Sequence, residues 1–404
     1  MNFHRKAAFV AAASLFLLSP AFGAEELLTL ESVLARARAQ APSIVSARAR
    51  IEEARAHVRG ASVFRDNPVL AGGIGWRDDH LPADLEAGLS QTFELGGKRG
   101  ARVAAAEAAL AREMALSDDT VRRIVREAAA TFFSAVEATE RLRLARVTET
   151  SAAEIARIAQ RRHEQGDIPV LEVNVAQSAL ARARADAYAA DAARASALGD
   201  LRVLLGLHPT TSLAVEGRLS DRVEVQLETL MAAASARADV RALAADLAEA
   251  EADESLGKGL TWPDVSPAVR YERDGGDHVL WGGLSLTLPL FNRGQEQRAV
   301  GAARAERIRG EIAALRRAVQ SEVAAAWEAY GLRLKAADAL QATVAALDDN
   351  DVLARRSYEV GQIGLGELLL IRRETVEARA ALLQRQLEAG QARVELQARA
   401  GVIQ

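Results

Sequence analysis

The sequence predicts a mainly α fold with a small β part, built from one unit repeated twice. Three observations carry this expectation. Hydrophobic residues make up 50% of the 404-residue chain while aromatic residues make up only 4%, so alanine fills much of the apolar fraction. Alanine at that density suits helices packed closely along their length better than a compact core of large side chains. Second, two short regions change from helical spacing to strict alternation, the mark of strands. Third, an offset of 195 residues places Gly166 on Gly361, Arg161 on Arg356, Glu164 on Glu359, Ile168 on Ile363, Glu172 on Glu367 and Gly206 on Gly401. A period this long signals a duplicated half-molecule and not a solenoid.

The chain opens with Arg5 and Lys6, an apolar run from Ala7 to Leu18, and the small-residue stretch Ser19 to Ala24. This pattern is that of a secretory signal peptide over residues 1–23, with the mature chain beginning near Ala24 or Glu25. No later stretch supplies the roughly 20 consecutive apolar residues of a spanning helix, so entry into a membrane is expected through strands. Cysteine is absent, which removes disulfides, thiolate metal sites and a lipid-anchoring thiol. A net charge of −4 and a pI near 6.0 leave no electrostatic footprint for nucleic acid.

The first repeat is expected over residues 24–207 and the second over 227–404, with 208–226 as a linker in an equatorial region. Each begins with a helix, Leu30 to Arg59 and Leu227 to Leu256, that ends at a proline-bearing break: Asn67-Pro68, and Trp262-Pro263 through Pro267. Strands follow at about 69–77 and 84–94 in the first repeat and about 265–273 and 279–290 in the second. Leu85, Ala87, Leu89, Gln91 and Phe93 alternate with small or polar residues, as do Leu284, Leu286, Leu288 and Leu290. Long helices are then expected over 98–165 and 295–360, each about 100 Å at 1.5 Å per residue. In the first, Val121, Val125, Ala128, Phe132, Ala135, Thr139 and Leu142 step by four and three, a coiled-coil seam. A glycine breaks each long helix and a returning helix follows, over 170–205 and 366–400. Four strands are too few to seal a sheet in lipid, where each unpaired backbone group costs several kcal/mol and closed barrels start at about eight strands. Closure therefore requires further copies of the chain, and spacing alone does not choose between two and three.

Other motifs carry little chemistry. The stretch Glu94 to Gly100 has glycines and a lysine without phosphate-loop spacing, and reads as a strand-to-helix turn with Lys98 and Arg99 near lipid headgroups or paired across subunits. His57, His80, His163, His208 and His278 show no metal-site spacing, and Asp78-Asp79-His80 reads as a solvated loop cluster. Trp76 and Trp281 are expected either at the bilayer boundary or in packing. No nucleophile with a base and no paired catalytic carboxylates appear, so neither an enzyme, a cofactor nor a metal site is expected.

Taken in order, the signal peptide, the duplicated helix–strand–strand–helix–helix unit, "QTFELGGKRGAR" (Gln91 to Arg102), "LPLFNRGQ" (Leu288 to Gln295) and the two glycine turns resemble the TolC-like outer membrane efflux proteins. "FELGGKR" and "LPLFNRGQ" are most similar to the heavy-metal branch of that family, the CzcC and CusC type. The resemblance spans essentially the whole mature chain. It implies a homotrimer closing a twelve-stranded barrel in outer membrane lipid, with a helical tunnel reaching into the periplasm. It also implies a periplasmic adaptor, or membrane fusion protein, and a proton-driven inner-membrane pump of the RND type. Under it, Gly166, Asp167, Ile168 and Pro169, with Gly361, Gln362, Ile363, Gly364 and Leu365, form the hairpin tips that meet the adaptor. The apolar residues Ile168, Pro169, Ile363 and Leu365 are expected to be exposed there as a partner surface. Glu367 and Glu172 are candidates for acidic rings at the periplasmic mouth. Two departures stand out: there is no N-terminal cysteine for a lipid, and Leu370 occupies the position where some relatives carry a second acid. A periplasmic coiled-coil adaptor or scaffold, and a channel for drug or protein export, are the alternative readings.

Overall fold

In the computed structural model, residues 26–77, 80–224, 226–274 and 277–403 are described. The expected signal peptide and the pair Asp78-Asp79 fall outside them. The first repeat runs β1 (Glu26–Leu28), α1 (Leu30–Gln40), α2 (Pro42–Ser62), β2 (Val69–Arg77), β3 (His80–Ser90), α3 (Lys98–Glu164) and α4 (Val170–Leu205). After β4 (Leu213–Val215), the second runs α5 (Leu227–Ala234), α6 (Ala238–Gly259), β5 (Asp264–Asp274), β6 (Asp277–Thr287), α7 (Gln295–Glu359) and α8 (Leu365–Arg399).

The opening helix of each repeat is divided in two, which the sequence reading did not anticipate. Proline lacks the N–H that a continuous helix needs, so the chain restarts with Pro42 as the first residue of α2. In the second repeat the break falls at Ser235 to Arg237. Thr29 starts α1 with a capping box, exchanging side-chain and backbone hydrogen bonds with Ser32. The segment between the repeats is more than a linker, because β4 pairs in parallel with β1 from Glu26↔Leu213 to Leu28↔Val215.

Helix α3 has 67 residues and α7 has 65, so each is about 100 Å long at 1.5 Å per residue. Each folds back on its partner as an antiparallel pair, α3 with α4 and α7 with α8. A bundle this elongated has no central core and holds itself together in strips instead. One strip surrounds Phe132 and Phe133, where Val125, Ala128 and Ala135 of the α3 seam meet Leu201 and Leu205 of α4 and Leu387 and Val394 of α8. A second joins α5 to α8 around Val323 and Leu396, and a third lies between α6 and α7 at Ala250, Ala305 and Ile308. The fourth is at the glycine turns. Between α6 and α7 the backbones approach so closely that a Cβ on Gly257 would lie 2.5 Å from the Arg298 nitrogen, and one on Gly301 2.6 Å from the Glu254 nitrogen.

The four long strands form one antiparallel sheet in the order β2-β3-β5-β6. The first repeat thus joins the second through β3 and β5, leaving β2 and β6 as open edges. Among the described residues no helix is long and apolar enough to cross a membrane.

Candidate functional site: the hairpin tips and the amphipathic sheet

Both tips close with the same backbone motif. At the first, Gly166 takes φ +82°, its N–H donates to His163 O at 2.9 Å, and the Asp167 N–H donates to Arg162 O at 2.9 Å. At the second, Gly361 takes φ +75°, its N–H donates to Tyr358 O at 3.1 Å, and the Gln362 N–H donates to Ser357 O at 2.8 Å. This is the Schellman arrangement, which needs a left-handed residue and therefore favours glycine. Pro169 and Gly364 then cap the returning helices in extended conformation. The two tips are neighbours: the Arg162 guanidinium lies over the Tyr358 ring at 5.2 Å, and a Cβ on Gly361 would sit 3.5 Å from Arg162 Nη2.

The expected apolar partner surface is corrected by the packing. Ile168 is only 8% exposed and Leu365 only 2%, because both turn inward onto Tyr358, Leu368, Ile155 and Ala159. Ile363 is half-buried against the same strip. Asp167, Pro169, Gln362 and Gly364 are exposed. The apolar side chains that do face outward are Val170, Leu171, Val360 and Leu370, of which Leu171 is 67% and Val360 71% exposed. Sequence reasoning missed these four. The signal was present in the spacing of the buried set, since Leu365, Leu368 and Thr375 occupy one face of α8 and leave Leu370 on the other.

Of the two candidate acids, Glu367 is exposed and Glu172 half-buried. Glu172 acts on Tyr358: burial pushes the tyrosine hydroxyl above its ordinary pKa, Arg162 pulls it down, and the Glu172 charge pushes it up again. The Tyr358 hydroxyl is buried without a hydrogen-bond partner. Above the tips, Arg355 of α7 pairs with Glu154 of α3 at 2.6 Å and ties the two hairpins together, while Arg372 with Asp351 at 3.1 Å and Arg379 with Asp348 at 2.7 Å tie α8 to α7 within the second.

At the opposite end the sheet is amphipathic, and its register fixes which residues share a face. Leu70, Leu89 and Val269 stand in one row, and Ile74 with Leu85 and Tyr271 with Leu280 lie on the same side, with Arg273 and His278 joining only at the loop end. The other side carries Gly73, Glu86, Gly88, Ser90, Arg270, Glu272 and Ser285, with an ion pair between Arg270 and Glu86 at 3.0 Å. Trp281 is opposite Arg270 and so belongs to this polar side, while Trp76 lies at the bulge between Gly75 and Arg77. The two tryptophans therefore do not form one belt.

Where strands meet helices, the Lys98 ammonium is buried and paired with Asp264 at 2.6 Å. Arg99 donates to Ser62 O and stacks over Phe64 at 5.1 Å. Both partners are in the same chain, contrary to the expected placement at lipid headgroups or across subunits. Among the described residues no group of three or more His, Asp or Glu is disposed to hold a metal ion.

Paired helices about 100 Å long topped by a half-apolar sheet with open edges define a class: this is the fold of outer membrane channel proteins. The solved structure of CusC, whose study concerned folding and transmembrane channel formation, superposes with a TM-score of 0.75 at 17% identity, covering 92% of this chain and 91% of that one. The outer membrane protein VceC of Vibrio cholerae gives 0.74 at 18% identity, covering 92% and 96%. Residues 33–207 match the model of the outer membrane efflux protein family. Relatives include protein CyaE of Bordetella pertussis, 28% identical over 84% of this chain and 71% of the relative. The cobalt-zinc-cadmium resistance protein CzcC of Cupriavidus metallidurans is 26% identical over 74% of this chain and 72% of its own. The fold is that of these solved channel proteins.

Proposed function

We propose that this chain is the outer membrane channel subunit of a tripartite efflux system, passively conducting cargo from a periplasmic adaptor and an inner-membrane pump of the RND type to the exterior. One observation carries the reading above the others: the sheet has one apolar face, one polar face and two unpaired edges. Such a sheet is stable in lipid only when other strands complete it. Four strands from each of three copies give a closed barrel of twelve, apolar side to lipid and polar side to the lumen, in the outer membrane. The long helices then continue the conduit through the periplasm. The exposed apolar residues Val170, Leu171, Val360 and Leu370, with Asp167, Pro169, Gln362 and Gly364 beside them, form the surface offered to the adaptor. Ile168, Ile363 and Leu365 support it from beneath, and Gly166 and Gly361 shape it.

Heavy-metal cations are the proposed cargo class, supported by the similarity to CzcC. With no cysteine and three methionines the chain offers few soft ligands, which suits conduction without retention. Glu367, repeated three times at the mouth, supplies an acidic ring that draws cations in, and the apolar Leu370 keeps that ring single. Glu172 is the weaker candidate for a second ring because it is half-buried.

Envelope fractionation with unheated and boiled gel samples tests the assembly. A heat-sensitive species near three times the mature mass in the outer membrane fraction is expected, and a soluble periplasmic monomer overturns the reading. Deletion tests the cargo: metal sensitivity is expected, whereas a deletion strain that loses only secretion of a protein or efflux of a drug moves the channel to another cargo. Planar-bilayer recordings of Glu367→Gln, with unchanged conductance and cation preference, would remove the acidic ring alone.

A further inference from the structure

The internal duplication says how the open edges β2 and β6 meet, an inference resting on the reading that copies of this chain close the barrel. An offset of 197 residues carries β3, His80–Ser90, onto β6, Asp277–Thr287. The same offset carries Gly97 onto Gly294, the left-handed caps of α3 and α7. An offset of 195 carries β2 onto β5 and Pro68 onto Pro263. The two offsets are mutually consistent, since they turn the observed hairpin pair Val69↔Ser90 into Asp264↔Thr287, which is also observed.

Within the chain, the second strand of repeat one already pairs with the first strand of repeat two, through Leu89↔Val269 and Ser90↔Ala268. Carried forward by the same offsets, Leu89 becomes Leu286 and Val269 becomes Ile74, while Ser90 becomes Thr287 and Ala268 becomes Gly73. We propose that β6 of one copy pairs antiparallel with β2 of the next in this register: Leu286 opposite Ile74, Thr287 opposite Gly73 and Ser285 opposite Gly75.

Each pair matches in kind. Leu286 and Ile74 are both exposed on the apolar side, and Thr287 and Gly73 both lie on the polar side. A slip of one residue would set every apolar side chain against a polar one, so parity excludes it. A slip of two preserves the faces and is the real competitor.

The chain has no cysteine, so two introduced thiols report only on each other. Gln91 N donates across to Pro267 O, so the neighbouring Ser90↔Ala268 pair does not exchange ladder bonds; its equivalent, Thr287 with Gly73, is therefore of the close, non-hydrogen-bonded kind. A Cβ fits at Gly73, where the nearest atoms are on Glu86 at 3.9 Å, and at Gly75, with Asp84 Cβ at 3.7 Å. Full-length Thr287→Cys/Gly73→Cys and Ser285→Cys/Gly75→Cys, oxidised in outer membranes, are expected to yield disulfide-linked chains at least about tenfold more abundantly than Thr287→Cys/Gly75→Cys, which reports the slip of two. Linkage in the slipped pair at equal or greater yield overturns the register. A heat-sensitive oligomer that forms while all three pairs stay unlinked also overturns it and leaves the oligomer standing. Monomer alone, reduced and oxidised, overturns the oligomeric reading beneath it.

Discussion

Removing either partner of the Lys98–Asp264 pair will cost unequal amounts, and the inequality follows from burial. The ammonium and carboxylate are 2.6 Å apart, with the Lys98 side chain 5% and the Asp264 side chain 26% accessible. At that distance and an effective dielectric constant of about 20, the bare attraction is about 6 kcal/mol. Desolvating the two charges offsets part of this, and breaking a buried pair by deleting one member typically costs about 3 to 5 kcal/mol. Asp264→Ala leaves a buried ammonium with no counter-charge and also takes away the acceptor facing the Leu95 N–H at 3.4 Å. It belongs at the upper end of that range. Lys98→Met leaves a carboxylate that water can still reach, and a methionine fills much of the lysine's volume, so it belongs at about 1 to 2 kcal/mol.

Urea titration of the detergent-purified protein, followed by the helical circular dichroism signal, measures both losses as shifts in midpoint at constant slope. The double variant Lys98→Met/Asp264→Ala is expected to be more stable than Asp264→Ala alone, because the stranded charge is gone. Equal losses for the two single variants, or a double variant at the sum of both, would refute the reasoning, since neither result is compatible with an uncompensated buried charge as the dominant cost.

Gly257→Val will overpack the α6–α7 contact, where the added Cβ would sit 2.5 Å from the Arg298 backbone; a loss of about 1 to 3 kcal/mol in the same titration is expected. Tyr358→Phe deletes a buried hydroxyl that has no partner, so stability should be unchanged or rise by up to about 1 kcal/mol, whereas Tyr358→Ala should cost about 3 to 5 kcal/mol. Burial works against the charge on Asp239, but the Arg237 guanidinium more than compensates and holds the carboxyl below its ordinary pKa. A lowered folded-state pKa gives stability that is complete above the unfolded value near 4 and is lost as pH falls through the lower folded value. Thermal midpoints should therefore be insensitive to this pair from about pH 7 to 5 and fall below about pH 4, with a shallower acid slope in Asp239→Asn.

Much of the architecture was legible because it repeats. A glycine that ends a helix is ambiguous alone, but Gly166 and Gly361 stand in matching contexts and adopt φ +82° and +75°. Period-two alternation located the strand region, although β3 and β6 end at Ser90 and Thr287, short of the expected Phe93 and Leu290, and the α3 seam from Val125 to Leu142 is buried as its spacing implied except at the half-buried Thr139. What spacing did not reveal was direction. Ile168 sits in a turn and Leu365 opens α8, positions where apolar residues are easily read as exposed, yet both close a strip contributed by two hairpins that are far apart in sequence. Lys98 was similarly opaque, because its partner Asp264 lies 166 residues away in the other repeat.

That separation bears on how the subunit divides its stability. The buried strips all lie along the helices, while the large side chains of the sheet, Leu70, Trp76, Leu280 and Leu284 among them, are mostly uncovered. The sheet of a single chain is therefore held by its ladders and by its junction with the helices, where Lys98 meets Asp264 and where a Cβ on Gly96 would lie 2.6 Å from Trp262. Helical pairing does not depend on lipid, but burial of the sheet's apolar face does. In the proposed assembly this orders the events: the paired helices form first and fix the strands at their base, and the sheet gains its apolar stabilisation only when a bilayer covers one face and neighbouring copies cover both edges. Loss of the Lys98–Asp264 junction should then weaken assembly more than it weakens helix content, because the junction transmits order from the part of the chain that folds alone to the part that cannot.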